Sequence, residues 1–231
     1  MNENMRNAVA ALALVIGVAV GGPSANASLV SIGLQETGVN GGAVSTVGTG
    51  IDSLVTFSGA YGTFTVNGIT ALGSPPNPSN DLLSTTSLNL SSSTPGTLTV
   101  LITAQNITAP LGTLSFMSSL TSNVLPAGWS VTESTFLSMS NALYDTLAAD
   151  LLDTNTFSAI GTQVGLTTRS TGAGPYSITE RYVISATSAE NALSTIDVTA
   201  TAVPEPASLA IFGAALIGLG ALGRRRRKDV A

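Results

Sequence analysis

The sequence YSITERYVISA at residues 176–186 alternates apolar and polar side chains over eleven positions. A period of two is typical of a β-strand that buries one face, whereas a helix would repeat its apolar residues at three and four. Glu180 is out of place because it takes an apolar position. The apolar side of the alternation carries Tyr176, Ile178, Tyr182, Ile184 and Ala186.

The same period recurs between residues 28 and 202, with turn residues between the segments. Asn67-Gly68 separates the short apolar segments 64–66 and 69–72, which is typical of a two-residue type I′ hairpin. Eight or more short strands predict a mainly β fold, an antiparallel β-sandwich of jelly-roll or immunoglobulin-like kind, with the strand order left open. Further predicted strands are 29–34, 54–57, 97–102, 114–120, 130–139, 159–167 and 196–200.

One segment has helical spacing instead. From Asn141 to Leu152, apolar residues recur at Leu143, Leu147 and Leu151, and Ser140 precedes them as an N-cap. This pattern predicts one short amphipathic helix.

The N-terminus resembles a secretory signal peptide. Thirteen uncharged, mostly aliphatic residues at 8–20 precede a helix-breaking Gly-Gly-Pro and the small-x-small triplet Ala25-Asn26-Ala27. We expect signal peptidase to cleave between Ala27 and Ser28. The chain then divides into a signal peptide at 1–27, a secreted sandwich domain at 28–202 and a C-terminal segment at 203–228.

The composition of the central domain excludes several functions. It contains no Cys and no His, and its only basic residues are Arg169 and Arg181, against ten carboxylates, so its net charge is about −8. An acidic surface without lysine cannot neutralise phosphates, so nucleic acid is not an expected partner. Without His or Lys, neither a Ser-His-Asp triad nor a Ser-Lys dyad can form, and transition-metal sites lack their usual ligands. We therefore expect no catalytic residues, no metal and no cofactor.

Carboxylates are the remaining chemically active groups. Asp145, Asp150 and Asp153 lie close together in sequence but lack the Asp-x-Asp-x-Asp spacing of a calcium loop, so we interpret them as solvated acidic residues. A carboxylate pair for glycoside hydrolysis could be assembled in three dimensions from Glu133, Glu180 and other acidic residues, although their spacing in the sequence does not support one. An ion pair with Arg169 or Arg181 would explain Glu180 more simply.

The C-terminal segment combines three features. Val203, Pro204, Glu205 and Pro206 form an extended, proline-stiffened stretch, because proline cannot donate a backbone hydrogen bond and restricts the residue before it. Residues 207–223 are uncharged and would form a helix of about 25 Å, just enough to span a bilayer core. A basic cluster follows and would stay on the cytoplasmic side, with the sandwich outside. The cluster consists of Arg224, Arg225, Arg226, Arg227 and Lys228.

These three features, in this order at a C-terminus, resemble the PEP-CTERM sorting signal. The resemblance implies a protein of Gram-negative bacteria with exopolysaccharide systems, processed by an exosortase, a multi-pass membrane transpeptidase-like protease. It implies that residues 203–206 are the recognition motif, 207–223 the transmembrane helix and 224–228 the basic stop. Signal peptidase and exosortase are then the expected partners, with extracellular polysaccharide as a further candidate.

Three functions follow as hypotheses. The first is a non-enzymatic envelope or matrix protein, held in the inner membrane as a single-pass protein and then displayed at the cell surface or released into exopolysaccharide or biofilm. The second is a carbohydrate-binding or adhesin module, which would show a row of exposed aromatic side chains. The third is a glycan-active enzyme, which would need two carboxyl groups converging in a cleft.

Overall fold

A computed structural model describes residues 28–50, 53–74, 80–203 and 212–217. Within these ranges, twelve strands form two antiparallel sheets of six strands each. Sheet A has the order β2-β1-β6-β11-β8-β9, and sheet B the order β10-β7-β12-β5-β4-β3. The strands of sheet A are β1 (Leu29–Glu36), β2 (Ser45–Gly50), β6 (Gly96–Ile107), β8 (Ser130–Ser138), β9 (Leu151–Phe157) and β11 (Tyr176–Ala186). Those of sheet B are β3 (Leu54–Tyr61), β4 (Phe64–Gly73), β5 (Asp81–Ser92), β7 (Thr113–Val124), β10 (Gly161–Ser170) and β12 (Asn191–Ala202).

The last eight strands follow a jelly-roll path. From β5 to β12 every connection crosses to the other sheet, except the one between β8 and β9, which pair directly in sheet A. In sheet B these strands have the order β10-β7-β12-β5, and in sheet A the order β9-β8-β11-β6. The strands β1 and β2 extend sheet A beyond β6, and β3 and β4 extend sheet B beyond β5. The structure is therefore a two-sheet sandwich with a jelly-roll centre.

The core lies between the two sheets and consists of the apolar side chains that alternate with polar ones along the strands. In β6, Val100 and Ile102 are buried in the core, and in β12, Ile196 and Val198 belong to the same buried cluster. Because successive side chains of a strand point to opposite faces, each strand supplies one buried row. The mainly β fold with two antiparallel sheets is as expected.

The strands predicted from periodicity are present. The segment 176–186 is β11 with the expected bounds, and 29–34, 97–102, 114–120 and 196–200 lie inside β1, β6, β7 and β12. No prediction was made for β2, β5 or β9, which carry many Ser, Thr and Asn residues and therefore show weaker apolar periodicity.

The predicted hairpin at Asn67-Gly68 is wrong, because β4 continues straight through these two residues. Val66 pairs with Leu90 and Gly68 with Asn89, so Asn67 is the extra residue of a β-bulge. The turn between β3 and β4 lies at Gly62 and residue 63 instead, where Gly62 has a φ of 60°. An Asn-Gly pair suits a bulge as well as a turn.

The helix predicted from Asn141 to Leu152 is much shorter in the structure, and it is not an α-helix. The only helical residues in this segment form one 3-10 turn, Ala148–Asp150, and Leu151 already begins β9. Asn141 and Tyr144 have positive φ angles of 56° and 54°, which an α-helix cannot contain. The leucine that should have been on the buried face, Leu147, is 65% exposed.

Tertiary hydrogen bonds hold this segment on the outer face of sheet A. The Asn141 side chain accepts a hydrogen bond from the Asn106 backbone N–H at 2.8 Å and donates one to the Asn106 side chain at 2.8 Å. The Tyr144 backbone N–H donates to the Thr103 hydroxyl at 3.2 Å, and its phenol donates to Thr46. These contacts with the sheet replace the local bonds of a helix.

Candidate functional site

The chain leaves the sandwich from the end of β12, a central strand of sheet B. Close to this exit, the Ala200 N–H donates to the Asn80 carbonyl at 2.9 Å. The Val203 N–H donates to the Thr113 carbonyl at 3.0 Å, and Val203 is 41% exposed. Because β12 is paired on both sides, the segment that follows Val203 starts from a rigid point.

The N-terminal end of the domain lies at the same end of the sandwich. The Ser28 N–H donates to the Ser74 carbonyl at 3.0 Å, and the Ser74 N–H donates to the Leu82 carbonyl at 3.2 Å. Leu82 and Asn80 both lie at the start of β5, next to the place where β12 ends. Both ends of the domain therefore leave from one end of the sandwich. A strand of twelve residues places the opposite end roughly 40 Å away.

Most predicted sorting residues lie outside the described residues. This holds for the triplet ending at Ala27, for the motif residues 204–206 and for the basic cluster 224–228. Of the predicted cleavage and sorting positions, the structure places Ser28, which is buried, and Val203. The roles of all these residues stay predictions.

Part of the predicted transmembrane helix is described. Residues 212–217 are helical, and Phe212, Leu216 and Ile217 are exposed on this turn. Among the described residues, none of the helices has both the length and the apolar character needed to cross a bilayer. The transmembrane helix at 207–223 stays a prediction.

The sandwich core contains two carboxyl groups, Glu133 on β8 and Glu180 on β11. Glu133 pairs across the strands with Tyr182, and Glu180 pairs with Thr135, so the two glutamates are diagonal neighbours on the inner face of sheet A. Both are 0% exposed. Thr85, from β5 of the opposite sheet, donates a hydrogen bond from its hydroxyl to Glu180 Oε2. Sheet A therefore presents two acids to the core, and Glu180 is hydrogen-bonded to sheet B.

Burial changes the acidity of this pair. Desolvation raises the pKa of Glu133 to about 7, although the nearby Ser194 hydroxyl and Thr121 backbone oppose the shift. Desolvation also raises the pKa of Glu180 well above its ordinary value, with the Thr85 hydroxyl opposing and the acidic neighbours adding to the shift. Within the described ranges, neither oxygen of Glu133 makes a hydrogen bond, nor does Glu180 Oε1. Both groups are therefore neutral acids over a pH range in which exposed glutamates are ionised.

The expected ion pair of Glu180 with Arg169 or Arg181 is wrong. Arg181 follows Glu180 in the strand, so its side chain points to the outer face of sheet A. There its guanidinium lies 4.9 Å from the centre of the Phe136 ring and donates to the Ser134 hydroxyl at 3.3 Å. Arg169 donates to the Leu151 carbonyl at 3.4 Å. The alternation of residues in the sequence identified Glu180 as an acid at an apolar position, but it could not show that Glu133 is its neighbour.

This geometry does not present the pair to a substrate. A glycosidase holds its two carboxyl groups on either side of a glycosidic bond in an open cleft. Glu133 and Glu180 instead lie side by side between two sheets, with no exposed surface. A glycan could contact them only if the sheets separated.

The aspartates near β9 do not form a group of three carboxylates. Asp145 caps the Leu147 N–H at 3.1 Å, and Asp153 accepts a hydrogen bond from Gln163 at 3.4 Å. Burial raises the pKa of Asp150, and nearby Asp145 raises it further. Over the described ranges, no group of three or more Asp, Glu, His or Cys side chains could hold a metal ion.

Aromatic side chains of the sandwich do not form an exposed platform. Between residues 28 and 203, all ten described aromatics are buried or half-buried. Trp129, the one tryptophan, is buried and donates from its indole N–H to the Ser188 hydroxyl at 3.2 Å. The expected row of exposed aromatic side chains is therefore not seen among the described residues.

Comparisons with known proteins give one informative match. Residues 202–228 match a family model described as the PEP-CTERM protein-sorting motif. A search of the whole sequence against curated proteins found no match.

Solved structures show only distant similarity. TmCBM61 in complex with beta-1,4-galactotriose has a TM-score of 0.30 at 8% identity, covering 58% of this chain and 81% of that one. The enzymatically active domain of bacteriophage CBA120 tailspike protein 4 has a TM-score of 0.33 at 11% identity, covering 66% and 20%. The infectious bursal disease virus VP2 subviral particle has a TM-score of 0.28 at 12% identity, covering 76% and 57%. TM-scores this low carry no argument about function.

Proposed function

We propose, from the premise that residues 202–228 form a PEP-CTERM protein-sorting motif, that this chain is a non-enzymatic envelope or matrix protein processed by an exosortase. The motif implies an exported protein that is anchored in the membrane through its C-terminus before processing. We propose that the intermediate before processing is a single-pass protein of the inner membrane, with the sandwich outside and the basic cluster in the cytoplasm. After processing, the sandwich is displayed at the cell surface or released into exopolysaccharide or biofilm.

The position of the motif carries the proposal. It begins at the last residue of β12, so the recognition residues 203–206 follow the folded domain directly. A protease binds an extended segment, and the two prolines favour that conformation. The predicted helix and basic cluster would retain the chain in the membrane next to this segment.

The shared exit of both chain ends also supports this arrangement. Ser28 and Val203 lie at the same end of the sandwich, so the signal peptide and the C-terminal helix can both occupy the membrane while the domain folds. The opposite end, roughly 40 Å away, then faces outward. The net charge of about −8 on residues 28–202 keeps the domain away from anionic lipid and suits a solvated position.

The test is the mass of the mature protein in cells that contain an exosortase. We expect wild-type protein to lose the residues beyond its cleavage site, close to 203–206. The variant Pro204→Ala/Pro206→Ala should keep its C-terminal segment and accumulate in the membrane fraction. Pro175→Ala is the matched control, because Pro175 lies in an exposed loop of the sandwich and its replacement should leave trimming unchanged.

Two results would contradict the proposal. The first is a full-length tail on wild-type protein in cells with an active exosortase. The second is normal trimming and location of the double proline variant, which would mean that the segment acts only as a membrane tether.

A further inference from the structure

The buried carboxyl pair is not used by the sorting function and needs its own explanation. Glu133 and Glu180 are 47 positions apart in sequence, and the β8–β11 register makes them neighbours in the centre of the core. Between them lie Tyr182 and Thr135, which are also 0% exposed. Core positions of this kind normally carry apolar side chains, because an ionised group there loses its hydration.

No basic group among the described residues compensates the pair. From sheet B, the side chains that face it from β5, β7 and β12 are hydroxyls and apolar groups, including Thr85, Ser118 and Ser194. The basic residues of the described sandwich, Arg169 and Arg181, donate their hydrogen bonds elsewhere, as described above. The nearest further charges are acidic: Asp197 on β12 acts on Glu180, and Asp81 on β5 acts on Asp197. The charged groups near the pair among the described residues therefore oppose its ionisation, and only hydroxyl and backbone groups act in the other direction.

The hydrogen bonds of the pair also suit neutral acids. A buried carboxylate needs several donors. In the described part of the chain, however, the Thr85 hydroxyl is the donor that reaches Glu180, and neither oxygen of Glu133 makes a hydrogen bond. The hydroxyl of Tyr182 lies beside the pair and also lacks a partner. Two neutral carboxyl groups cost far less in this environment than two charges.

We propose that Glu133 and Glu180 act as a proton-dependent lock between the two sheets. With both groups protonated, the sandwich is closed. When they lose their protons, unpaired negative charge enters the core, and β8 and β11 loosen from sheet B. This property belongs to the sandwich and does not depend on how the C-terminal segment is processed.

The direction of the pH dependence follows from linkage. An unfolded glutamate has a pKa of about 4.3. Burial raises the pKa of Glu133 to about 7 in the folded state, and that of Glu180 is also raised. Between these values the folded state keeps protons that the unfolded state has released. The stability contributed by the pair is therefore greatest at a pH below the pKa of the unfolded glutamates and falls as the pH rises. For each proton that the folded state retains and the unfolded state has released, the unfolding constant increases tenfold per pH unit. Tyr182 stays neutral throughout, because burial raises its pKa well above the ordinary value.

Equilibrium unfolding in urea at several pH values tests the proposal. The full-length chain, purified in detergent micelles with EDTA, reports through the fluorescence of buried Trp129. From pH 5 to pH 7, we expect the unfolding constant of the wild type to rise about a hundredfold or more. The variant Glu133→Gln/Glu180→Gln keeps the shape but cannot ionise, so it should lose most of this rise and be the more stable protein at pH 8.

Glu190→Gln is the matched control, because Glu190 is exposed and its replacement should leave the full rise in place. The proposal fails if the unfolding constant of the wild type changes less than about threefold over this range. It also fails if the double glutamine variant keeps the whole rise. Stabilisation by added Ca²⁺ at pH 8 in the wild type alone would mean that a cation neutralises the pair, and would likewise overturn the proposal.

A measurement on the wild type covers the case in which the glutamine variants do not fold. Infrared spectroscopy at pH 6 should show the C=O band of protonated carboxyl groups, which exposed glutamates have lost at that pH. The band should disappear as the pH is raised through the range in which stability falls. Its absence at pH 6 would contradict the lock.

Discussion

Replacement of Glu36 by Ala should destabilise the sandwich by about 2–3 kcal/mol. Glu36 ends β1 in sheet A and is 6% exposed. Its carboxylate accepts the Thr63 N–H at 3.2 and 3.1 Å and the Thr63 hydroxyl at 2.6 Å. Thr63 lies in the turn between β3 and β4, so these bonds join the two sheets at the end opposite the termini.

The magnitude follows from the number and type of bonds. Hydrogen bonds to a charged acceptor contribute about 1.5–3 kcal/mol each. The alanine variant leaves one backbone N–H without its acceptor, while the half-buried hydroxyl of Thr63 can rotate toward solvent. The net loss is therefore nearer that of one strong bond than of two. With a urea m-value of about 2 kcal/mol per M, the unfolding midpoint should fall by about 1–1.5 M.

The assay is urea unfolding followed by the fluorescence of Trp129. Thr63→Val removes only the hydroxyl donor and should cost about 1 kcal/mol. Because the two residues share the same bonds, the double variant should cost less than the sum of the single variants. Glu190→Ala, at an exposed acidic position, should stay within about 0.5 kcal/mol of the wild type. If Glu36→Ala also stays within that limit, the bonds do not join the sheets and the reasoning is wrong.

Two further predictions use the same assay. Gly62→Ala should lower the free energy of unfolding more than Gly112→Ala. Both glycines have positive φ, but a Cβ at Gly62 would meet the Glu36 carboxylate at 1.8 Å, whereas one at Gly112 meets nothing within 4 Å. Equal losses of stability would contradict the proposed clash. Asn141→Ala should lower the free energy of unfolding by about 1–2 kcal/mol, because it leaves the Asn106 N–H without its acceptor. No change in stability would mean that the hydrogen bonds to Asn106 do not hold the segment after β8 on sheet A.

The strands could be predicted because the alternation of apolar and polar residues is a local property of the sequence. In β11, the parity of residues 176–186 specified both the strand and its buried face, and the structure has the same bounds. The same rule failed at β5, where Ser and Thr occupy many positions and obscure the period.

The hairpin and helix predictions differ from the structure because each local sequence pattern is compatible with more than one conformation. Asn67-Gly68 can close a hairpin or form a bulge, and the pairing of β4 with β5 selects the bulge. The leucine spacing after Asn141 is helical, but hydrogen bonds to Asn106 and Thr103 hold the backbone in another shape. In both cases, contacts with a neighbouring strand select the backbone conformation, and that strand is distant in sequence.

The sequence by itself determined the β class and the C-terminal sorting motif, because alternation and the motif each lie within one continuous stretch. It also identified Glu180 as an acid on an apolar face. Only the tertiary structure decided the jelly-roll order, the common exit of both chain ends and the pairing of Glu180 with Glu133. These depend on contacts between residues far apart in the chain, and such contacts exist only after the two sheets have packed together.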